Sequence, residues 1–417
     1  MNIITKTLSA YSNMNLMMRI LIGIIIGATL GLTIPGLTIV PLMGKMFVSA
    51  LKAMAPVLVM ALVTASIAKA AGGLGKRFRN VIILYMASTL IAAIVAVIFS
   101  YIFPIHLQLP ETGATGAAPS ELRDVFMGLV DALVSNPVAA VSNAAYLGIL
   151  FWAIVIGAAL KHKASDATIS VVHDIAESIT LVVHWIINCA PFGVLGLVYI
   201  SVCENGMEIF TTYGQLVLLL IACMLTTSLV VNPIIVTLML RKNAYPLLWQ
   251  CLKGSAVNAF FTRSSAANIP VNMSLCKRLG LTEDFYSVSI SLGCTINMDG
   301  AACTITVMTL ATCATMGIDV SIGNAIILSL LATLGACGTS GVPGGSLLLI
   351  PMACSLFGIS QDISMQVVAI GFIISVIQDS VETALNSSSD VLFTATADYY
   401  ARQKAGEKIS FHSEKNS

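Results

Sequence analysis

The sequence predicts an all-α integral membrane protein with eight transmembrane helices and two re-entrant helical hairpins. Of its 417 residues, 57% are hydrophobic and only 10% are charged, and the mean hydropathy of +0.92 lies outside the range of soluble domains. The first half contains unbroken apolar runs, whereas the apolar runs of the second half are interrupted near their middles. Unbroken runs predict spanning helices, and interrupted runs predict hairpins or broken helices.

Six unbroken runs precede Lys242, and each is long enough to cross about 30 Å of hydrocarbon. We predict spanning helices at about 20–42, 46–69, 81–103, 132–160, 176–202 and 213–240. The first run lacks a small-residue cleavage pattern and is too long for a signal peptide, so we interpret it as a retained helix.

The distribution of charge predicts the orientation of these helices. Apart from Arg263, the lysines and arginines lie between the apolar runs or at their edges. They cluster after the second, fourth and sixth runs, whereas the loops at 104–124 and 203–210 carry mainly acidic residues. By the positive-inside rule, we expect both termini and the basic connections on the cytoplasmic side.

Beyond Lys242, two interrupted segments predict re-entrant hairpins. The first, at about 250–279, is broken by TRSSAANIP into arms of about ten residues, which are too short to cross a bilayer. Basic residues bracket it, so we expect it to enter from the cytoplasmic side. The second, at about 320–361, is uncharged and is broken by GACGTSGVPGGS. The topology places its ends on the outer face.

Each predicted hairpin is followed by a spanning helix with polar residues at mid-depth. The seventh helix, at about 284–317, contains NMDG, and the eighth, at about 363–397, contains QDSVETALNSSSD. Two pairs of hairpin and helix that enter from opposite faces form an inverted repeat. The remaining residues, 399–417, are polar, and we expect a solvated cytoplasmic tail.

Four acids lie within these apolar segments, namely Asp299, Asp379, Glu382 and Asp390. A charge at the centre of a membrane helix costs about 2.5–3.5 kcal/mol, so such residues face a bundle interior or a cavity. Arg263 alone cannot neutralise four acids. The acids either form a structural network with Arg263 or bind cations, and the uncompensated charge favours cations. Carboxylate, amide and carbonyl oxygens suit a hard cation, above all Na⁺.

The motifs TRSSAANIP, GCTINMDG, GTSGVPGG and NSSSD resemble, in order and spacing, the signature segments of the dicarboxylate/amino acid:cation symporters, the glutamate transporter family. The resemblance covers essentially the whole chain, and QDSVETALNSSSD is most similar to the bacterial sodium-coupled serine/threonine branch. It implies a glutamate-transporter-like homotrimer in the cell inner membrane with elevator-type alternating access. Residues 1–242 would form mainly the scaffold, although 81–103 and parts of the sixth helix join the transport domain of residues 243–398.

The resemblance also implies ligand roles for individual residues. The implied Na⁺ ligands, through side chains or main-chain carbonyls, are Tyr85, Ser88, Thr89, Gly293, Thr295, Asn297, Asp299, Ala336, Cys337, Thr339, Asn386 and Asp390. The implied contacts of the amino acid are Arg263, Ser264, Ser265, Val342, Gly344, Asp379, Glu382, Thr383 and Asn386. Within these sets, the resemblance assigns Asp299 to the deepest cation site, which Asn297 shares and which Tyr85, Ser88 and Thr89 of the third helix complete. A third site would use main-chain carbonyls of Thr295, Ala336, Cys337 and Thr339. Asp379 would bind the α-ammonium group.

Two departures from the family pattern bear on the substrate. Acidic-substrate members have an arginine where this chain has Glu382, and a threonine after NMDG where it has Ala301. A glutamate would repel a dicarboxylate. We therefore expect a transporter, not an enzyme, that imports serine and threonine with Na⁺ and contacts lipid but no nucleic acid. Glu382 either pairs with Arg263 or shapes a pocket that rejects aspartate.

Other functions remain as alternatives from the sequence. A carrier of the same fold could couple to protons or transport another small neutral or dicarboxylic amino acid. An intramembrane aspartyl protease also needs two membrane acids, but the G-x-G-D turn of such enzymes does not occur in this chain. The two closed hairpins argue against a passive channel. The ten cysteines and five histidines show no metal-ligand spacing.

Overall fold

The computed structural model describes residues 14, 16–69, 76–109, 136–206, 209–337, 344–407, 409 and 411. Within these ranges the regular secondary structure is helical, and no strand occurs. The predicted all-α class is therefore confirmed. Thr339 and Val342, to which the family resemblance assigns roles, lie outside the described residues.

The N-terminal half is a series of helices that ends at Leu240. Within the described residues these are α1 (Leu16–Thr33), α2 (Ile39–Lys69), α3 (Lys76–Ile102), α4 (Pro137–Ser142), α5 (Tyr146–Lys163), α6 (Asp166–Asn188), α7 (Ala190–Asn205), α8 (Ile209–Thr226) and α9 (Asn232–Leu240). A π-helical turn, Thr227–Val231, joins α8 to α9 without interruption.

The first helix is shorter than predicted. α1 ends at Thr33, and α2 already begins at Ile39. Pro35 has no N–H with which to continue the helix, and Gly36 adopts a φ of +103° in the turn, which a residue with a side chain rarely does. The prediction of one helix over 20–42 was wrong because this turn is itself apolar.

Two further predicted helices are divided by turns. The run 176–202 falls into α6 and α7, which meet at Cys189 just before Pro191. The described part of the run 132–160 falls into α4 and α5, and Ala144 in the intervening turn has a φ of +51°. Both divisions lie inside apolar sequence, where composition gives little sign of a break.

The C-terminal half contains shorter helices around one long helix. In the described residues these are α10 (Tyr245–Cys251), α11 (Val257–Thr262), α12 (Ser265–Arg278), α13 (Glu283–Ile296), α14 (Asp299–Thr315), α15 (Ile322–Ala336), α16 (Ile350–Ser355) and α17 (Gln361–Lys404). A π-helical turn, Leu252–Ala256, joins α10 to α11, and a 3₁₀ turn, Ser346–Leu349, precedes α16.

Arg263 divides the first predicted hairpin into two arms. It adopts a left-handed conformation with a φ of +53°, and Ser264 then caps α12 by accepting a hydrogen bond from the Ala267 N–H at 3.2 Å. α12 has 14 residues and therefore spans about 21 Å, which is less than the thickness of the hydrocarbon core. This arm cannot cross a bilayer.

The two predicted hairpins approach opposite ends of α3, a helix of 27 residues that spans about 40 Å. At its beginning, Arg77 donates to Thr282, which directly follows the first hairpin, at 3.3 Å. At its end, the Tyr101 hydroxyl donates to the carbonyl of Val320, where the second hairpin begins, at 2.8 Å. Entry of the two hairpins from opposite membrane faces requires this arrangement.

The residues after Tyr399 differ from the predicted solvated tail. α17 continues to Lys404, and Ile409 beyond it is buried because it packs into the same apolar cluster as Tyr399. The ring of Phe411 lies 5.7 Å from that of Tyr399, and its carbonyl accepts a hydrogen bond from Gln250 on α10. The described part of the tail is therefore fastened to the base of the first hairpin.

Five helices of the described residues are long and apolar enough to span a membrane. They are Ile39–Lys69, Arg77–Ile102, Asp166–Asn188, Phe210–Leu240 and Gln361–Lys404. Many large apolar side chains lie on the outside, such as Leu238 and Ile322, which are about three-quarters exposed at 74% and 75%. Such a surface suits lipid. The count of eight spanning helices stays a prediction.

The contact between α1 and α7 depends on glycines at a spacing of four residues, Gly23, Gly27 and Gly31. A Cβ atom at Gly27 would lie 2.5 Å from the carbonyl oxygen of Leu195 on α7. We expect Gly27→Ala to lower the free energy of unfolding by about 1–3 kcal/mol, because the helices must separate.

Thermal unfolding in detergent measures this effect. Gly214→Ala on α8 is the matched control, because a Cβ atom at Gly214 would have no other atom within 4 Å and alanine favours helix. A loss of stability in Gly27→Ala no larger than in Gly214→Ala would contradict the close packing of α1 on α7.

Candidate functional site

The candidate site surrounds the middle of α17, where α13 and α14 meet end to end. Asn297 and Met298 separate these two helices and have non-helical backbone angles. Asp299 is the first residue of α14, so its carboxylate lies at the positive end of that helix dipole. The break in NMDG thus places a buried acid and two residues with irregular backbone beside α17.

Asp299 is fully buried and accepts hydrogen bonds from neutral groups on two other helices. Its Oδ1 accepts from Ser88 at 2.6 Å and from Thr89 at 3.2 Å, both on α3. Its Oδ2 accepts from the amide of Asn232 on α9 at 3.0 Å. None of the described lysines or arginines forms an ion pair with it.

Tyr85, which was predicted to complete the same site, directs its side chain elsewhere. Its hydroxyl contacts Thr394 at 2.9 Å and donates to the carbonyls of Ser289 and Asp390. Only its main-chain carbonyl lies on the Asp299 side, where it accepts from Ser88 at 3.3 Å. Any contribution of Tyr85 to a cation at Asp299 would therefore come from the backbone.

Asp390 forms a second buried acidic position on α17. Its Oδ1 accepts a hydrogen bond from the Asn297 amide at 2.8 Å, whereas its Oδ2 is buried without a partner in the described structure. The same Asn297 amide donates to the carbonyl of Asn386 at 3.3 Å. A Cβ atom at Gly293 would lie 2.7 Å from Asp390 Oδ1, so a side chain there would have to displace this carboxylate.

Two residues of the third predicted cation site, Ala336 and Cys337, lie at the end of α15. Ala336 is fully buried, and the thiol of Cys337 points to the carbonyl of Ile296, the last residue of α13, at 3.5 Å. The hydroxyl of Thr295 bonds within its own helix, to Leu292. The second hairpin therefore reaches the break between α13 and α14, although Thr339 lies outside the described residues.

Arg263 pairs with Asp379 and not with Glu382, so the alternative pairing considered from the sequence is wrong. The guanidinium Nε lies 2.7 Å from Asp379 Oδ2, and both side chains are buried. The Gly344 N–H of the second hairpin donates to Asp379 Oδ1 at 3.3 Å. The pair forms because the left-handed turn at Arg263 brings the first hairpin against α17.

Glu382 lies one helical turn from Asp379 and is held by three neutral donors. Its Oε2 accepts from Gln378 at 2.5 Å, from Thr304 on α14 at 2.7 Å and from Ser346 of the second hairpin at 2.9 Å. The side chain is 5% exposed. This network holds the Glu382 carboxylate beside the Arg263–Asp379 pair. Among the described residues, no lysine or arginine is paired with Glu382.

The remaining predicted substrate residues line the same region. Ser265 is buried at the start of α12, and the Thr383 hydroxyl donates to the carbonyl of Asp379 at 2.7 Å. The side-chain oxygen of Asn386 accepts from the Gly300 N–H at 2.7 Å, which fastens α14 to α17.

Sequence reasoning missed several polar residues of this site. Asn232, Thr304, Ser346 and Gln378 each donate a hydrogen bond to one of the buried carboxylates. For Asn232 a signal existed, because an asparagine followed by proline is unusual within an apolar run. The hydroxyl residues gave none, since serine and threonine are common in membrane helices.

Comparison with known proteins identifies the family. The sequence model of the sodium:dicarboxylate symporter family matches residues 16–400. The chain belongs to this family. The resemblance drawn from its motifs is thereby confirmed, and the protein is a multi-pass membrane transporter rather than an enzyme.

Two curated relatives of this family cover nearly the whole chain. A serine/threonine transporter, SstT, of Bifidobacterium adolescentis is 51% identical over 96% of this chain and 93% of its own length. A serine/threonine transporter, SstT, of Streptococcus thermophilus strain ATCC BAA-250 is 53% identical over 94% of this chain and 98% of its own length.

The buried acids of this symporter fit a hard monovalent cation. Asp299, Asp390 and Asn297 provide carboxylate and amide oxygens, and Asp390 Oδ2 is a buried anionic atom that lacks a partner. A soft or transition metal fits poorly, because the described residues contain no group of three or more histidine, cysteine or acidic side chains that could hold one. When bound, a cation would supply the positive charge that the surrounding neutral donors cannot.

A substitution at Asp390 tests this fit. We expect Asp390→Asn to weaken Na⁺ affinity by about 10–100-fold, because it removes the charge of the buried oxygen that lacks a partner. Serine affinity at saturating Na⁺ should change much less. Sodium titration of thermal stability measures the first quantity, and Asp362→Asn, at an exposed acid on the same helix, is the control. An unchanged Na⁺ midpoint in Asp390→Asn would contradict the cation role.

Proposed function

We propose that this protein imports serine and threonine by symport with Na⁺. The observation that carries the proposal is the pairing at the substrate site: the guanidinium of Arg263 is engaged by Asp379, and Glu382 occupies the neighbouring position. The Arg263 charge is thus already paired through Nε, although its Nη1 has no hydrogen-bond partner in the described structure, and Glu382 would repel the side-chain carboxylate of an acidic substrate. The family and the names of the two relatives, serine/threonine transporters, support the same substrate class.

In this proposal Asp379 binds the α-ammonium group of the amino acid. Arg263 then acts as an internal cation that holds Asp379 until substrate arrives, because an unpaired buried carboxylate is unfavourable. Ser265 and Asn386 bind the α-carboxylate. Glu382 faces the substrate side chain, where it accepts the hydroxyl hydrogen of serine or threonine and repels a carboxylate.

The cation sites lie at Asp299 and Asp390, on either side of Asn297. Their oxygens suit Na⁺, and the break between α13 and α14 adds main-chain carbonyls. Because the amino acid is a zwitterion, each Na⁺ that enters contributes about 2.3 kcal/mol per 100 mV of membrane potential. A tenfold Na⁺ gradient adds about 1.4 kcal/mol. One ion can therefore sustain accumulation of roughly several hundredfold.

Alternating access would follow from movement of the two hairpins, α13, α14 and α17, together with α3 and part of the helix formed by α8 and α9, against the scaffold. The exposed ion pair between Lys52 on α2 and Asp362 on α17, at 2.6 Å, joins the two proposed parts and would break during such movement. A homotrimer in the inner membrane with cytoplasmic termini completes the proposal. The charge distribution of the loops and the family membership support it.

Uptake of radiolabelled L-serine into proteoliposomes tests the function. We expect accumulation under an inward Na⁺ gradient, inhibition by threonine and little inhibition by aspartate. Uptake that follows a proton gradient without Na⁺ would favour a proton-coupled carrier. Strong inhibition by aspartate would favour a dicarboxylate carrier, and either result would overturn the proposal.

A further inference from the structure

Asn232 is a buried amide at the acidic end of α14 that the proposed function does not use. It is 1% exposed, and its Nδ2 donates to Asp299 Oδ2 at 3.0 Å. Its Oδ1 is buried and has no hydrogen-bond partner in the described structure. The oxygen and nitrogen of an amide are bonded to the same carbon atom, so Oδ1 lies next to the Nδ2 group that contacts Asp299.

The local backbone accounts for the position of Asn232. The π-helical turn Thr227–Val231 inserts one extra residue before it, and the Asn232 N–H donates to the carbonyl of Thr227, five residues back. One extra residue rotates the following side chains by about 100° relative to a regular helix. Such π-turns frequently occur at functional sites.

The residue after Asn232 keeps this turn open. Pro233 has no N–H, so it cannot restore the regular hydrogen-bond ladder. The nearby carbonyl of Leu229 instead accepts a hydrogen bond from the Tyr245 hydroxyl at 3.1 Å. A helix that crosses the membrane is thus irregular at the point where it meets Asp299.

A purely structural role explains only half of this arrangement. Donation by Nδ2 supports the Asp299 carboxylate, but it leaves Oδ1 without a partner in an apolar interior, which is unfavourable. Asp299 also has no positively charged partner, since all its described hydrogen-bond partners are neutral. A single cation beside both groups would satisfy the amide oxygen and the carboxylate together.

We propose that Asn232 is a ligand of the cation bound at Asp299, through its side-chain oxygen. The cation site then joins three helices, α3, α9 and α14, and not only the two that the family resemblance indicated. α9 is continuous with α8, so occupancy of the site would rigidify this spanning helix at its π-turn. The inference rests on the proposed Na⁺ coupling.

The test is the Na⁺ dependence of thermal unfolding, with choline chloride holding the ionic strength constant. We expect Asn232→Leu, which has a similar volume but no ligand atom, to raise the Na⁺ midpoint by about tenfold or more. Serine affinity at saturating Na⁺ should stay within about threefold of the wild type. Asp299→Asn is the positive reference, and Asn232→Ser replaces the leucine variant if that variant does not fold.

Asn324→Leu is the matched control, because Asn324 on α15 is also buried with an amide oxygen that lacks a partner but contacts none of the four acids. A wild-type Na⁺ midpoint in a folded Asn232 variant, or an equal shift in Asn324→Leu, would overturn the inference. If the wild type itself showed no Na⁺ dependence, the proposed function would fail instead. The two failures are therefore distinguishable.

Discussion

Replacement of Asp379 by asparagine is expected to abolish serine binding and to destabilise the protein by about 3–5 kcal/mol. The binding loss follows because the proposed partner of the α-ammonium group disappears. The stability loss follows because Arg263, which is 6% exposed, keeps its charge without the carboxylate at 2.7 Å.

Substitution of the other partner of the ion pair, Arg263, separates the effect on serine binding from the effect on stability. Arg263→Gln also breaks the ion pair, but it frees Asp379 for the substrate. We therefore expect a lower melting temperature without serine and a larger serine-induced rise than in the wild type. The double variant Arg263→Gln/Asp379→Asn should regain part of the stability, since neither charge remains, but it should not bind serine.

Thermal shift with increasing serine at saturating Na⁺ measures these outcomes. Ser380→Ala on the same helix is a control for packing, because Ser380 is buried and its hydroxyl bonds only to the main-chain carbonyl of Val376 among the described contacts. Serine binding by Asp379→Asn at wild-type affinity would refute the role of Asp379. An additive loss of stability in the double variant would refute the coupling between the two charges.

The sequence predicts the helical membrane class and the breaks in the second half well, for a physical reason. A carboxylate or a cluster such as TRSSAANIP is costly in hydrocarbon, so it stands out against apolar surroundings. The turn at Pro35 and Gly36 did not stand out, because its neighbours are as apolar as a helix. Apolar composition indicates which segments lie in the membrane, but it carries little information about where a helix ends.

The candidate site also contains features that the sequence predicts and features that it does not. The four acids could be found from the sequence, since each is exceptional in an apolar segment. Their partners could not. Arg263 lies in a predicted hairpin, and the sequence alone allows it to pair with either Asp379 or Glu382. In the structure, the left-handed turn at Arg263 accompanies its pairing with Asp379. Two of the three donors to Glu382 come from α14 and the second hairpin, which the sequence does not place side by side.

Glu382 should determine the charge of the substrate that the site accepts. Glu382→Gln keeps the shape of the side chain and removes its charge, so we expect serine uptake to persist and aspartate to inhibit at least about tenfold more strongly. Glu382→Arg should strengthen aspartate binding further, because it provides a cation for the side-chain carboxylate.

The surroundings of Glu382 can adapt to the arginine. The hydroxyls of Thr304 and Ser346 accept hydrogen bonds as well as donate them, and the Oε1 of Gln378 is buried without a partner and can turn toward the new guanidinium. The arginine therefore does not face three fixed donors. Competition of aspartate against radiolabelled serine, together with direct aspartate binding, measures the change.

The comparison between the two variants isolates the effect of charge. If repulsion by Glu382 excludes dicarboxylates, aspartate affinity should rise from wild type to Glu382→Gln and again to Glu382→Arg. Equal aspartate affinities in all three proteins, with serine uptake intact, would show that the shape of the pocket and not the charge of Glu382 excludes aspartate. Loss of serine uptake in Glu382→Gln alone would show that the proposed hydrogen bond from the substrate hydroxyl requires the charge of Glu382, since glutamine retains the volume but accepts a weaker hydrogen bond.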